Sequence, residues 1–152
     1  MFDGLHLEDL EQVNEAFPSQ LIVILYDEAI KGMTDAIDAI GRGDIETRFA
    51  ATTRTAEIVS QLYLALDMEQ GGEIAENLGG IYNFILTQMP QINFRNDIRM
   101  AEQVVTLLAP IRDSWFELDE RIRSAVTDAE AEADRIAAAM MAHGALAGKR
   151  GA

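Results

Sequence analysis

Residues 18–43 read PSQLIVILYDEAIKGMTDAIDAIGRG, and this stretch decides the fold. Proline suits the first turn of a helix because its missing N–H needs no partner there, and Gly41-Arg42-Gly43 supplies glycines able to take the left-handed conformation that ends one. Between them, at 100° per residue, Ile22, Leu25, Tyr26, Ala29, Met33, Ala36, Ile37 and Ile40 fall in a stripe about 120° wide. The spacing predicts one long helix with a single core-facing side.

Working outward, Asp44 is placed to cap a second helix running to about Met68, before a break at Gly71-Gly72. That helix carries two apolar stripes. Leu62, Ile58, Ala51 and Ala65 make the first, and Ile45, Phe49, Ala56, Val59 and Tyr63 lie about 100° away. One bundle contact does not use both. A third helix is expected from near Glu73, with Ile74, Leu78, Ile81, Tyr82, Ile85 and Met89 at helical spacing until Pro90 ends or bends it. A fourth, capped by Asn96 or Asp97, places Ala101, Val104, Val105, Leu108, Ile111, Trp115, Leu118 and Ile122 on one side, with a kink expected at Pro110. No segment reads as a strand. Four amphipathic helices joined by short turns predict an all-α fold, an antiparallel up-and-down four-helix bundle.

Beyond Ile122 the chain becomes rich in alanine, yet Val126, Ala129, Ala133, Ile136, Met140, His143 and Ala147 continue in steps of four and three. They predict an Ala-rich helical C-terminal extension of the fourth helix; a frayed helix with no fixed partner is the plainer reading. The expected organisation is an N-terminal segment over 1–17, the bundle over 18–125 and a tail over 126–152.

The 152 residues carry 26 Asp and Glu against 12 Lys and Arg, a formal charge of −14. So acidic a chain repels a phosphate backbone, which disfavours nucleic acid, and anionic membrane surfaces for the same reason. Cysteine is absent, which excludes disulfides, thiolate metal sites and a cysteine nucleophile. The longest apolar run, Ile136 to Ala142, is far short of the roughly 20 residues a membrane helix needs, and the N-terminus has no signal-peptide core. A cytoplasmic protein without membrane insertion is expected. A di-iron bundle needs Glu-x-x-His pairs, and the two histidines, His6 and His143, have no glutamate three residues before them. No phosphate-binding loop or nucleophile motif occurs. The expectation is no catalytic residue, no metal and no cofactor.

What remains is apolar bulk that a four-helix core does not use. Ile24 lies about 200° from the centre of its helix's stripe, among Gln20, Glu28, Lys31 and Asp35; Leu64 falls among Thr53, Glu57 and Ser60; Phe84 lies about 120° from the Leu78 stripe. With the second stripe of the second helix, they suggest a surface for an amphipathic partner helix.

Several strings go further than spacing. Ala16-Phe17-Pro18-Ser19-Gln20-Leu21-Ile22-Val23-Ile24-Leu25-Tyr26-Asp27, followed by Ala29-Ile30, resembles the opening helix of the FliS family of flagellar export chaperones for flagellin. Leu66-Asp67-Met68-Glu69-Gln70-Gly71-Gly72-Glu73-Ile74-Ala75-Glu76-Asn77-Leu78, with Ile81-Tyr82-Asn83-Phe84, is similar to that family's junction between second and third helices. Asn93-Phe94-Arg95-Asn96-Asp97 and the pair Arg112 and Trp115 resemble later landmarks in the same order, so the likeness covers roughly residues 13–118. It implies a non-enzymatic cytoplasmic chaperone of helical-bundle fold. Such a protein would hold the C-terminal segment of flagellin, prevent premature polymerisation and help deliver the client to the type III export apparatus, an export-gate component being a further partner.

The client-binding residues expected are Leu21, Ile24, Ile45, Phe49, Tyr63, Leu64 and Phe84. The family covers its empty groove with an N-terminal tyrosine; here Glu8 stands at about that position, and Leu5, Leu7, Leu10 and Val13 would cover the groove instead. Phe17, Glu28, Pro90 and Pro110 also depart from the usual pattern. The chain is expected to be a monomer or a weak homodimer. The alternative is a structural or regulatory helical protein that dimerises through a long C-terminal coiled-coil helix.

Overall fold

The structure, a computed structural model, describes the backbone of residues 18–150 and the side chains of 19–144. The segment 1–17, with Leu5, Leu7, Leu10 and Val13, lies outside the described residues. Four helices follow one another: α1 (Pro18–Arg42), α2 (Ile45–Leu64), α3 (Met68–Arg95) and α4 (Ile98–Arg150). The fold is an all-α helical bundle. It divides into two compact units, one comprising the described residues up to Phe116 and the other the residues from Glu117 onward.

Local chemistry sets each boundary. At the end of α1, Gly43 takes a positive φ of 69°. Its N–H bonds the Ile40 carbonyl and the Asp44 N–H bonds the Ala39 carbonyl, the paired arrangement that satisfies the last carbonyls of a helix. Asp44 then caps α2, accepting from the Thr47 N–H at 3.1 Å and the Thr47 hydroxyl at 2.7 Å. These bonds favour the charged form and hold the Asp44 carboxyl below its ordinary pKa, the side-chain bond from Thr47 contributing most. Asp67 caps α3 through the N–H groups of Glu69 and Gln70, and Asp97 caps α4 through that of Met100. Asn96, at φ 51° and ψ 44°, ends α3.

Two boundaries differ from the sequence expectation. α2 stops at Leu64 rather than near Met68, and α3 starts five residues before Glu73. The Asp67 cap opens the helix there. Gly72 then marks a kink inside α3 rather than a boundary, at φ 52° and ψ −129°, a conformation that a residue with a Cβ rarely adopts. α3 and α4 both run through their prolines, Pro90 and Pro110. Both rings are exposed, so the lost hydrogen bond falls on the solvent side.

In antiparallel neighbours the numbers of facing residues add up to a nearly constant value. Across α1 and α2, Thr55 donates to the Ala29 carbonyl and Arg54 pairs with Asp35 at 3.3 Å, sums of 84 and 89. Across α2 and α3, Thr52 bonds Asn93 and Arg48 bonds Asn96, sums of 145 and 144. The first three helices therefore run up, down and up, as two- and three-residue connections require. The core joins Tyr26, Ala29 and Met33 of α1, Ile58, Val59 and Leu62 of α2, Tyr82, Ile85, Met89 and Ile92 of α3, and Ala101, Val104 and Leu108 of α4. Tyr26 and Tyr82 share a hydrogen bond between their buried hydroxyls. Burial, the larger cause for each, raises both phenol pKa values.

α2 is held from two sides by polar groups. Thr52 and Thr55 are both buried, and Gly32 of α1 lies directly under Thr55. A Cβ on Gly32 would come within 2.2 Å of the Thr55 hydroxyl, so only glycine allows this approach. The buried set of α2, Ala51, Thr52, Thr55, Ile58, Val59 and Leu62, takes Ala51, Ile58 and Leu62 from the first stripe seen in sequence and only Val59 from the second.

In the second unit the helix continues to Arg150. Asp119 is buried and pairs with Arg123 at 3.1 Å, while Glu132 and Arg135 make an exposed pair at 2.8 Å. Ile122, Ile136, Met140 and Met141 are exposed.

An apolar cleft at the junction of the second and third helices

Where α2 turns into α3, the first turns of α1, the end of α2 and the start of α3 leave a cleft of about 420 Å³. Leu21, Ile22 and Leu25 form one wall, Leu62, Ala65 and Leu66 another, and Gly71, Ile74, Ala75 and Leu78 the third, with Tyr82 and Trp115 also lining it. The cause is local. α3, capped by Asp67, is bent at Gly72, so its first turn and its body point in different directions instead of forming one straight helix. Ile74 sits on the far wall and is 72% exposed, unusual for a β-branched apolar residue facing other apolar side chains.

A charged pair lies close in sequence to Trp115. Arg112 of α4 forks onto Asp27 of α1, Nε to Oδ1 at 2.7 Å and Nη2 to Oδ2 at 3.3 Å, and its guanidinium lies 4.8 Å from the Phe116 ring centroid. Asp27 is the main cause that raises the Arg112 pKa, so the side chain stays charged at any working pH. This pair fixes α4 beside α1 one turn from Trp115, which faces the cleft. Among the described residues no group of His, Cys, Asp and Glu is placed to hold a metal ion, and no helix is long and apolar enough to cross a membrane. The one carboxylate among the lining residues, Asp67, is engaged in capping α3. An opening of this kind takes apolar side chains from a partner.

The residues expected from sequence do not all meet here. Leu21 lines the cleft. Phe49, exposed on the opposite half of α2, lines a separate depression of about 460 Å³ with Asp35, Thr53, Arg54 and Glu57. A third depression, about 480 Å³ between α2 and α3, shares Thr53 and Glu57 with that one and Gln61 with the cleft; exposed Phe94 lies on its edge. Ile24 and Phe84 are half-buried and line none of the three. Ile45, Tyr63 and Leu64 are exposed outside them, Leu64 at 74%. Val59, from the same stripe as Phe49 and Tyr63, is wholly buried.

Ile74, Leu66 and Trp115 were absent from the expected site, because each reads in sequence as part of its helix's core stripe or as a connector. The signal that marks them is Gly71-Gly72, a glycine pair followed, after Glu73, by the apolar stretch that begins at Ile74.

Comparison with known proteins agrees with the resemblance. The family described as "Flagellar protein FliS" matches residues 6–122. The "Flagellar secretion chaperone FliS" of Salmonella typhimurium is 34% identical over 110 residues, covering 72% of this chain and 82% of the relative. That of Vibrio cholerae is 29% identical over 107 residues, 70% and 79% of the two chains. The "Flagellar secretion chaperone FliSB" of Pseudomonas aeruginosa is 30% identical over 104 residues, 68% and 82%.

Proposed function

This chain belongs to the FliS family, whose members compared above are named flagellar secretion chaperones, and on that premise we propose that its client is the C-terminal segment of flagellin. It is a chaperone of flagellar export, not an enzyme. The reading rests on the cleft at Ile74: apolar, open and walled by three helices, it suits the apolar face of a client helix read at i, i+3 or i+4, and i+7. From the cleft the client continues along α2 past Gln61 toward Phe49, with Leu21 inside the cleft and Ile24, Ile45, Tyr63, Leu64 and Phe84 bordering its path. Covering the assembly-competent part of flagellin in this way keeps it from polymerising before delivery to the export apparatus, where a gate component is the next partner. This work is done in the cytoplasm.

Leu5, Leu7, Leu10 and Val13 cover the cleft when no client is bound. They precede the turns that carry Leu21, Ile22 and Leu25, so the tether is short. Self-competition follows: removing residues 1–16 tightens client binding or leaves it intact, because a segment that must first leave costs apparent affinity. Loss of binding on truncation would instead make those residues part of the site.

The decisive experiment titrates a flagellin C-terminal peptide into the full chain and follows Trp115, the single tryptophan. A one-to-one complex whose affinity changes little up to about 0.5 M salt is expected, since apolar burial is not screened. An affinity that collapses over that range would refute an apolar mechanism.

A further inference from the structure

The family match ends at residue 122, whereas α4 continues to Arg150. We propose that residues 119–150 pair with the same residues of a second copy of this chain, as an antiparallel two-helix contact. The tail presents a face on which exposed Ile122 and half-buried Val126 are followed by Ala129 and Ala133 and then by exposed Ile136 and Met140, at the steps of three and four that keep one side toward a neighbour.

Size selects the direction. In a parallel pair each residue meets its own copy, so Ile136 and Met140 would hold the helices apart while Ala129 and Ala133 left gaps, forfeiting contact on both counts. In an antiparallel pair of residues whose numbers add up to 269, Ala133 faces the partner's Ile136, Ala129 faces the partner's Met140, and Val126 faces the partner's His143. Alanine thus meets the bulky Ile136 and Met140 at the two central levels.

Charge selects the register. Asp128, Glu130, Glu132 and Asp134 form an acidic run, and a shift to a sum of 262 would set Glu130 against the partner's Glu132 and Asp128 against the partner's Asp134. At 269 Glu130 lies beside the partner's Ala139 and Glu132 beside the partner's Ala137. Glu132, already paired with Arg135 at 2.8 Å in its own chain, comes level with the partner's Arg135 to within about 3 Å along the axis. Two ion pairs thus become a four-charge cluster about the two-fold axis. This register begins at residue 119 and ends at 150, so the contact stays inside the second unit. The occupant is a second copy rather than a client because the face matches itself in size and charge and lies beyond the part shared with the relatives.

The chain has no cysteine, so single labels are clean. Sedimentation of the full chain in 0.15 M salt should pass from one-chain to two-chain mass as concentration rises. The double variant Ile136→Glu/Met140→Glu should abolish that rise without loss of the bundle's thermal transition, both side chains being exposed. Spin labels at Ser124→Cys and Thr127→Cys should give axial separations near 32 and 22 Å, from 1.5 Å per residue over about 21 and 15 residues. Arg135→Glu should weaken the dimer and Glu132→Arg/Arg135→Glu restore it. A chain that stays monomeric to about 1 mM, a dimer that survives the double variant, or equal separations at the two labels would each overturn the proposal.

Discussion

Replacing Ile74 by serine separates binding from folding at one position. In the unbound protein the side chain is 72% exposed, so folding has hidden only the remaining 28% of it. Full burial of an isoleucine is worth about 1.5 to 3 kcal/mol, so the variant should lose about 0.4 to 0.8 kcal/mol of stability. Helix propensity adds little, serine and isoleucine being close. A client lying on the far wall of the cleft hides the rest, about 1.1 to 2.2 kcal/mol, and at 1.4 kcal/mol per factor of ten its removal weakens binding about 6- to 40-fold. The assay is fluorescence titration of the flagellin C-terminal peptide, with urea denaturation of both proteins in parallel. An affinity within twofold of the parent, at unchanged stability, would mean that the client does not cover Ile74.

Three further outcomes follow from the packing. Gly32→Ala should destabilise the fold by about 1 to 3 kcal/mol in urea, because the new methyl meets the Thr55 hydroxyl and the Ala51 carbonyl; a gain of about 1 kcal/mol, as helix propensity alone would give, would refute that close approach. Gly72→Ala should cost about 1 to 3 kcal/mol from backbone strain alone, since nothing lies within 4 Å of the added Cβ, and an unchanged midpoint would show that the kink is not needed. Tyr26 and Tyr82 have folded-state pKa values above the ordinary value near 10, so above pH 10 the unfolded chain binds fewer protons than the folded one and stability falls as pH rises; Tyr82→Phe should make that fall shallower, and an unaltered alkaline slope would contradict their burial as the cause.

The first helix was legible because its start and stop rest on residues with unusual backbones, Pro18 and Gly43, and because one stripe faces one core. The join between α2 and α3 was not. Two glycines outweighed a single aspartate in the reading, whereas Asp67 opens the helix and Gly72 only bends it. Apolar stripes on α2 were visible, but periodicity does not say which neighbours cover them: Val59 ended in the core and Phe49 in water. Leu21 was the one expected site residue that the cleft includes. Ile74, Leu66 and Trp115 were hidden because an unfilled space between helices has no signature in the side chains of any one of them.

The seam between α1 and α2 has a consequence for how the bundle responds to load. Thr55 donates to the Ala29 carbonyl and packs against Gly32, where an added Cβ would meet its hydroxyl at 2.2 Å. Sliding α1 by one turn would strand a buried hydroxyl, at about 1 to 3 kcal/mol, and drive a side chain into the space that glycine leaves. The two helices are therefore pinned in register like a key in a slot. At the other end of α2 the α3 backbone turns at Gly72, whose φ and ψ only glycine adopts readily, so a widening of the cleft should fall on that residue rather than on the α1–α2 seam.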